Sequence, residues 1–279
     1  MEAGDSRILF WASHIAACER GLRHAGMPDS GLAISGSPEA ALGPATENGV
    51  VSLGDGGWIC LEFPGLVRNG PGPDFAVFEN GFSDSFLELA FAEVSSDGKT
   101  FVRFPAVSLT QTAVQTGPFG LLQGNLLHNL AGAYRAGIGT PFELDELEGM
   151  AGIDLQAIRY IRIRDVVGSI DPALGSRDSR GNLVNDPFPT PFPSGGFDLD
   201  AVAVLNGTRP GPFAIPGIIR PSFFDPGTDI RFFDLAGRQL LRLPSGAPED
   251  MPPPAWFPKV WVVRGLYQGK WCSKVFGRT

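Results

Sequence analysis

The sequence is poor in the residues that hold transition metals and form disulfides. Its 279 residues include only three cysteines and three histidines, and none of them forms a CxxC or HExxH spacing. Zinc sites commonly require such spacings, so a zinc centre is not expected. Cys60 lies in the apolar run WICLEF and is expected in a buried strand, but the sequence leaves open whether it pairs with Cys18.

The chain also lacks long apolar runs and an excess of basic residues. No stretch approaches the roughly 20 apolar residues that span a bilayer, so no membrane span is expected. The formal net charge is −8, from 30 acidic and 22 basic residues. Without a broad basic surface, nucleic acid and anionic membranes are disfavoured as partners. An acidic surface favours metal cations, or serves solubility alone.

The opening MEAGDSRILFWASHIAACERG is a poor match to a secretory leader. Glu2 and Asp5 precede a short, interrupted apolar run. Three expectations stay open: a leader is missing ahead of this sequence, the start is misassigned, or the protein stays inside the cell. The C-terminal motifs described below favour the first two.

Motifs of the common enzyme classes are missing from the sequence. It has no GxSxG nucleophile elbow, no P-loop and no dinucleotide fingerprint, and no pattern pairs His128 with a nucleophile. Hydrolysis would have to rest on two carboxylates, as in glycosidases. Because 30 residues are acidic, the sequence singles out no such pair.

The sequence has many turn residues and many short apolar segments. Its 37 glycines and 25 prolines predict frequent turns, and alternating or apolar runs predict strands between them. The run LELAFAEVSSDGKTFVRFPA predicts a hairpin about Asp97-Gly98. A helix is expected around 143–150, and residues 168–196 form a loop too long for a mere connection. This pattern predicts an all-β protein, a β-sandwich or jelly roll.

The division of the chain follows its proline content. The segment 209–227 contains five prolines and no sustained period, as is typical of a linker. We expect a β-sandwich binding domain over 1–207, whose first 45 residues are weakly patterned. A linker over 208–224 and a small β-rich domain over 225–279 follow it.

Oxygen-bearing side chains gather at the ends of the predicted strands. Asp198 and Asp200 begin one strand two residues apart, so both should project from the same face. Like charges on one face repel unless a cation, donors or solvent separate them, and calcium prefers six to eight oxygen ligands. We hypothesise a Ca²⁺ ion held by Asp165, Asp186, Asp198 and Asp200. Solvated turns and strand caps are the alternative.

Five further residues are candidates for binding a polar ligand. Glu79 and Asn80 follow the buried run FAVF, at the rim of a predicted sheet. Asp74 joins them, although it could simply cap a turn. Phe188 and Phe192, stiffened by prolines, could form an exposed platform on which a sugar stacks, or could pack over the sandwich.

The body of the chain resembles a poorly characterised group of secreted or cell-surface bacterial proteins. The resemblance covers 50–206 and rests on these blocks in order: VSLGDGGWICLEF, NGPGPDFAVFENGF, AEVSSDGKTFVRFPA, LAGAYRAGIGTPFELDEL, YIRIRDVVGSID and DPFPTPFPSGGFDLDAVAVLN. It implies a sandwich of the galactose-binding type, as in carbohydrate-binding modules. Fold analogy of this kind does not fix function.

The tail resembles the C-terminal sorting domain of Bacteroidetes type IX secretion cargo. The resemblance rests on FFDLAGRQLLRLP, VWVVRGLYQGKW and KVFGR. Lys259-Val260-Trp261 replaces the usual glycine ahead of the tyrosine position, and a proline-rich insertion lengthens the middle. The resemblance implies the type IX machinery as a partner and a secreted or outer-membrane-surface location.

These features together predict an exported module that binds rather than transforms. The expected ligand is an extracellular glycan or another small polar molecule, with Ca²⁺ bracing the loop 168–196. Three alternatives stay open: a carboxylate-dependent glycan hydrolase, a structural or adhesive surface protein, and a nutrient-capture accessory of an outer-membrane transporter.

Overall fold

The computed structural model describes residues 1–46 and 48–208, together with four strands at 230–233, 239–243, 260–267 and 270–277. Within these residues there is no α-helix, and the named strands pair antiparallel throughout. The all-β prediction is confirmed. The chain divides into two compact units, Met1–Arg209 and Pro210–Thr279.

The first unit contains short strands and single 3₁₀ turns. In the described chain the strands are β1 (Phe10–Trp11), β2 (His14–Glu19), β3 (Val51–Ser52), β4 (Trp58–Val67), β5 (Phe75–Glu79), β6 (Ala90–Ser95), β7 (Val102–Arg103), β8 (Val107–Ser108), β9 (Leu127–His128), β10 (Leu130–Ala131), β11 (Thr140–Phe142), β12 (Ile158–Asp165) and β13 (Asp198–Val204). The 3₁₀ turns described are Pro28–Ser30, Pro38–Ala41, Gly124–Leu126 and Leu144–Leu147.

Two sheets build the sandwich. The first has the order β1-β13-β5-β11, with β3 also paired to β13. The second has the order β10-β6-β12-β4-β2, with β7 paired to β6, and β8 and β9 form a separate two-stranded ribbon. The predicted hairpin is the β6–β7 pair, and Gly98 in its turn has a φ of 73°, a conformation that glycine adopts without a steric cost.

The main core lies between the sheets. Val77, Val202 and Val204 from the first sheet join Leu61 and Ile161 from the second in one cluster, and each is at most 1% exposed. Apolar side chains removed from water are the dominant stabilising contribution to folding. Aromatic rings also pack in this core: those of Phe75 and Phe142 stack with their centroids 5.0 Å apart.

Both sheets are also covered on their outer faces, which explains why several strands lack clean alternation. Ala76, Phe78 and Ala203 on the outer face of the first sheet pack against the N-terminal segment, where Trp11 contacts Phe78 at 5.3 Å between ring centroids. The outer face of the second sheet carries another cluster around Phe91. Met1, Ala3 and Ile8 of the weakly patterned N-terminal segment thus help to cover the first sheet, whereas β1 and β2 of the same segment belong to the sheets themselves.

The helix expected at 143–150 is not present as predicted, whereas the segment 168–196 is a long loop. The helix expected at 143–150 is a single 3₁₀ turn, Leu144–Leu147, in which both leucines are buried; Gly149, with a φ of 80°, follows it. The loop 168–196 contains no strand or helix. Side chains hold it instead: Gln115 Nε2 donates to the carbonyls of Gly168 and Asp186 at 2.9 and 3.2 Å.

The second unit contains β14 (Ile230–Phe233), β15 (Gln239–Leu243), β16 (Val260–Tyr267) and β17 (Lys270–Gly277), in the order β15-β14-β16-β17. β16 and β17 pair in register from Val260–Gly277 to Tyr267–Lys270. The predicted linker beyond residue 208, the LAGR turn and the central residues of the YQGK turn lie outside the described residues.

Candidate functional site

Five carboxylates from both sheets and the long loop meet at one end of the sandwich. Glu79 ends β5 beside the start of β13, where Leu199 pairs with Glu79 and Asp198 is the first residue. Asp165 ends β12 opposite Ala90, the first residue of β6. In an antiparallel pair the end of one strand lies beside the start of the next. Glu88, just ahead of β6, and Asp186 from the loop complete the set, which we call the carboxylate cluster.

Asp165 is the member that the backbone satisfies fully. Its carboxylate is 2% exposed, and its Oδ1 and Oδ2 accept from the amides of Phe197 and Gly56, each at 2.8 Å. These bonds join β12 to the residue ahead of β13 and to the turn ahead of β4. Asp165 therefore has a structural function whether or not an ion lies nearby.

Asp186 and Asp198 are only partly satisfied. Asp186 Oδ2 accepts from the Leu89 amide at 3.1 Å, while its Oδ1 is buried without a hydrogen-bond partner among the described residues. Asp198 Oδ1 is likewise buried without a hydrogen-bond partner among the described residues. Ser52 and Asn80 approach Asp198 closely enough to lower the pKa of its carboxyl, but neither makes a well-aligned hydrogen bond to Oδ1. A buried acceptor without a donor costs about 1–3 kcal/mol.

The members of the cluster raise one another's pKa. Burial is the largest cause in every case and raises the pKa of Asp198 to about 6. It raises the pKa of Glu79, Glu88, Asp165 and Asp186 well above their ordinary values, and neighbouring acids of the cluster add to the rise for the first three. Arg20 lowers the pKa of Asp198, but its NH groups donate to the carbonyls of Ser35, Gly36 and Ser52. The raised pKa values favour the binding of protons or of a cation by the cluster.

Asp200, a predicted calcium ligand, has a different environment from Asp198. Both of its carboxylate oxygens accept from the Thr46 amide, at 3.1 and 2.9 Å. The register of β13 against β5 shifts between Leu199 and Ala201, which places a bulge at Asp200. The expectation that Asp198 and Asp200 project together assumed a regular strand, and the bulge removes that regularity.

Asp74 is a structural carboxylate. It is 0% exposed; its Oδ1 accepts from the Gly70 amide and Asn206 Nδ2, each at 2.9 Å, and its Oδ2 accepts from the Leu144 amide at 2.7 Å. With these donors in place it braces the loop ahead of β5. The turn-cap interpretation fits this geometry better than contact with a soluble ligand.

The two aromatic candidates are not equivalent. Phe188 is 7% exposed and meets the His24 ring edge-on at 5.1 Å, so of the two expectations for this residue the exposed stacking platform is wrong and packing is correct. Phe192 is 41% exposed, and its ring centroid lies 6.1 Å from that of Phe119. Phe119, itself 73% exposed, was not predicted as its neighbour.

A cavity of about 260 Å³ opens between the edge strands of the two sheets. Leu130 of β10 and Thr140 of β11 are on its wall. We call it the edge pocket; its lining is Pro73, Gly124, Leu127, His128, Asn129, Leu130, Ala133, Tyr134, Thr140, Pro141, Phe142, Glu143 and Glu146. The sequence did not single out Glu143 and Glu146 as site residues, because both fall within the helix expected around 143–150.

The polar groups of the edge pocket fall into two sets. Glu146 Oε2 accepts from Asn129 Nδ2 at 2.6 Å and lies 3.0 Å from His128 Nε2. Glu143 Oε1, in contrast, is buried without a hydrogen-bond partner among the described residues. Burial and then the neighbouring Asp74 carboxylate raise the pKa of Glu143 to about 7. The pocket therefore contains one carboxylate, Glu146, beside an amide and an imidazole, and one, Glu143, whose side-chain partner is another carboxyl group, that of Asp74.

The described residues contain neither a preformed metal site nor a membrane-spanning helix. No three His, Cys, Asp or Glu side chains there stand in an arrangement that could hold a metal ion. No helix in that part of the chain is long and apolar enough to cross a membrane. Cys18 and Cys60 are free thiols.

Comparison with known proteins identifies no family for this chain. No family model matches the chain, and no curated protein matches it. The solved β-glucuronidase of Parabacteroides merdae, with glycerol in its active site, is 12% identical over 97% of this chain and 35% of that chain, with a TM-score of 0.20. The chain spans about a third of that enzyme's length, and a likeness this low carries no argument about fold or activity.

Proposed function

We propose that Met1–Arg209 is a non-catalytic binding module that works outside the cell or on its surface. Its ligand is a glycan or another small polar molecule, and Ca²⁺ braces the loop 168–196 against the strand ends. In this proposal Asp165, Asp186 and Asp198 bind the ion with help from Glu79 or Glu88. Asp200, which is bonded to Thr46, is left out of the ligand set.

The observation that carries the calcium proposal is the pair of orphaned oxygens, Asp186 Oδ1 and Asp198 Oδ1. They belong to a cluster of five acids, of which four are buried and Glu88 is half-buried. A divalent cation would satisfy both oxygens and offset the repulsion among the carboxylates. Calcium suits this donor set because it takes oxygen ligands in flexible geometry at 2.3–2.6 Å. Side-chain rotations would be needed to bring three carboxylates to one ion.

The proposed brace acts on the loop through Asp186. This residue lies in the loop, its own amide donates to the Gly168 carbonyl at 3.2 Å, and its carboxylate accepts from Leu89 beside the second sheet. An ion shared with Asp165 and Asp198 would fix one point of a segment that has no strand or helix. Fixing such a segment lowers the entropy cost of holding a ligand against it.

The export part of the proposal rests on the tail. We propose that 225–279 is a type IX sorting domain, and the antiparallel four-stranded sheet of its described strands is compatible with that proposal. Secretion by a Bacteroidetes host, assayed with and without this segment behind a supplied leader, tests it. Retention of both forms in the cell would contradict export by this route.

The calcium proposal is tested by thermal unfolding in excess Ca²⁺ and in EGTA. At 100-fold excess over the dissociation constant, a ligand of the folded state stabilises it by about 2.7 kcal/mol, which raises Tm by about 5–10 °C for a unit of this size. We expect this rise in the wild type and in Asp200→Asn, and its loss in Asp198→Asn. The two variants make the same chemical change two residues apart.

The proposal fails if Tm is the same in both solutions, or if Asp198→Asn and Asp200→Asn respond alike. Asp198→Asn also removes a buried charge, which changes Tm by itself. The quantity to compare between the variants is therefore the difference between Tm in Ca²⁺ and Tm in EGTA.

A second candidate is a carboxylate-dependent glycan hydrolase. The specific observation that favours it is the edge pocket, where Glu143, with a pKa raised to about 7, could donate a proton while Glu146 supplies the second carboxylate. Turnover of any glycan that is lost in both Glu143→Gln and Glu146→Gln would establish it. Glycan binding without turnover would favour the module.

A further inference from the structure

The edge pocket is rich in carboxylates. Among the described residues its lining contains Glu143 and Glu146 but no lysine or arginine. Asn129 Nδ2 and His128 Nε2 lie against Glu146. The Thr140 hydroxyl accepts from the Ala133 amide at 3.2 Å and keeps its own hydrogen, and Tyr134 in the lining carries a second hydroxyl donor. The two carboxylates, in contrast, favour a ligand that carries a positive charge.

Glu143 provides the point of recognition. Its Oε1 is buried and has no donor among the described residues, and the adjoining Asp74 carboxylate has its donors from Gly70, Leu144 and Asn206. Glu143 and Asp74 share a side-chain hydrogen bond, which requires a proton on one of the two carboxyl groups, and no lysine or arginine among the described lining residues offsets the pair. An ammonium group would satisfy the orphaned oxygen by a charge-assisted hydrogen bond.

Tyr134 and the size of the cavity limit the ligand further. Tyr134 lines the pocket and is 44% exposed, so its ring offers an aromatic face, which attracts cations. The volume of about 260 Å³ is below the ~300–1,000 Å³ of sites for drug-sized ligands. A molecule about as large as one sugar ring fits these limits.

We propose that the edge pocket binds a small organic cation bearing a primary ammonium group, with Glu143 as the recognising carboxylate. The inference rests on the proposed binding function and assigns it a ligand class. It is independent of calcium, because Glu143 is not a member of the carboxylate cluster.

Calorimetric titration of the full chain with three sugars tests the inference. Glucosamine carries an ammonium group, N-acetylglucosamine has the same ring with that nitrogen acylated, and glucose has a hydroxyl in its place. A charge-assisted hydrogen bond in a partly buried site is stronger than a neutral one, so we expect glucosamine to bind at least ~10-fold more tightly than either neutral sugar.

Two variants make the test specific to the site. Glu143→Gln should weaken glucosamine binding by at least ~10-fold. Glu148→Gln makes the same change on an exposed residue of the next turn that is not part of the lining, and binding should stay within ~2-fold, as for a surface substitution. Circular dichroism checks that both variants fold; if Glu143→Gln does not, the three-sugar comparison in the wild type decides alone.

The inference is overturned if glucosamine gives no saturable heat, if all three sugars bind equally, or if both variants weaken glucosamine binding alike. The Ca²⁺-dependent rise in Tm should persist in Glu143→Gln. If glucosamine does not bind but Ca²⁺ still raises Tm, this inference is wrong and the calcium proposal stands. If Ca²⁺ does not raise Tm of the wild type, only the calcium proposal is wrong.

Discussion

At the scale of single residues, burial of a carboxylate has two different meanings in this protein. Asp74 and Asp165 are buried with backbone or amide donors on both oxygens. Asp186 and Asp198 are buried with one oxygen lacking a donor. The first pair is explained by the fold alone, whereas the second pair costs free energy unless a proton or cation compensates it.

Removal of Asp74 should destabilise the sandwich strongly. In Asp74→Ala, three donors from Gly70, Leu144 and Asn206 lose their acceptor, two of them backbone amides. We expect the free energy of unfolding, measured with urea, to fall by about 3 kcal/mol or more. Asp84→Ala, which removes an exposed carboxylate paired with Arg135, should cost less than about 1 kcal/mol. Equal losses would contradict the assignment.

The sequence predicted which residues lie in the site better than it predicted what each of them does. Glu79, Asn80, Asp165, Asp186 and Asp198 lie where strands or loops meet, and the structure brings them together. Glu88 was missed, although a lone acid between two buried leucines in LEL is an available signal. The donors of Asp74 could not be predicted, because Leu144 and Asn206 lie 70 and 132 residues away in the chain.

At the scale of elements, strand periodicity predicted more than loop geometry. Runs with two-residue alternation correspond to β4 and β12, an apolar run corresponds to β13, which is buried throughout, and the Asp97-Gly98 turn marks the β6–β7 hairpin. The bulge in β13 has no sequence signal of its own, and it separates Asp198 from Asp200. Among the arginines of β12, Arg159 is exposed, whereas Arg162 is half-buried and pairs with the buried Glu93.

The ends of these strands should make stability depend on pH when calcium is absent. Asp198 has a pKa of about 6, and Glu79, Glu88, Asp165 and Asp186 are raised well above their ordinary values. A carboxyl with a higher pKa in the folded state holds more protons there than in the unfolded chain. Stability therefore falls as pH rises from the unfolded value through the folded one.

In EGTA we expect the free energy of unfolding, measured with urea, to be lower at about pH 8 than at about pH 5. The difference should exceed about 1.4 kcal/mol, which is the contribution of a single group whose pKa changes by one unit on folding. Asp55 and Glu143, with pKa values of about 6 and about 7, act in the same direction. Asp186→Asn should reduce the dependence. A free energy that is constant or rises with pH would contradict the account.

At the scale of the whole molecule, the first unit is a sandwich with an additional layer outside each sheet. The N-terminal segment covers Ala76, Phe78 and Ala203, and loops cover the cluster around Phe91. An all-β class followed from turn residues and short apolar runs. The covering layers did not, because their side chains are spread over segments without a period.

The central claim is that the carboxylate cluster binds Ca²⁺, and calorimetric titration with CaCl₂ tests it most directly. Titrations in two buffers of different ionisation enthalpy also count the protons released. We predict one ion per chain with proton release, because the buried acids must ionise to bind it, and we predict that Asp186→Asn abolishes binding while Asp200→Asn retains it. Absence of saturable heat in the wild type, or equal binding by both variants, would contradict the claim.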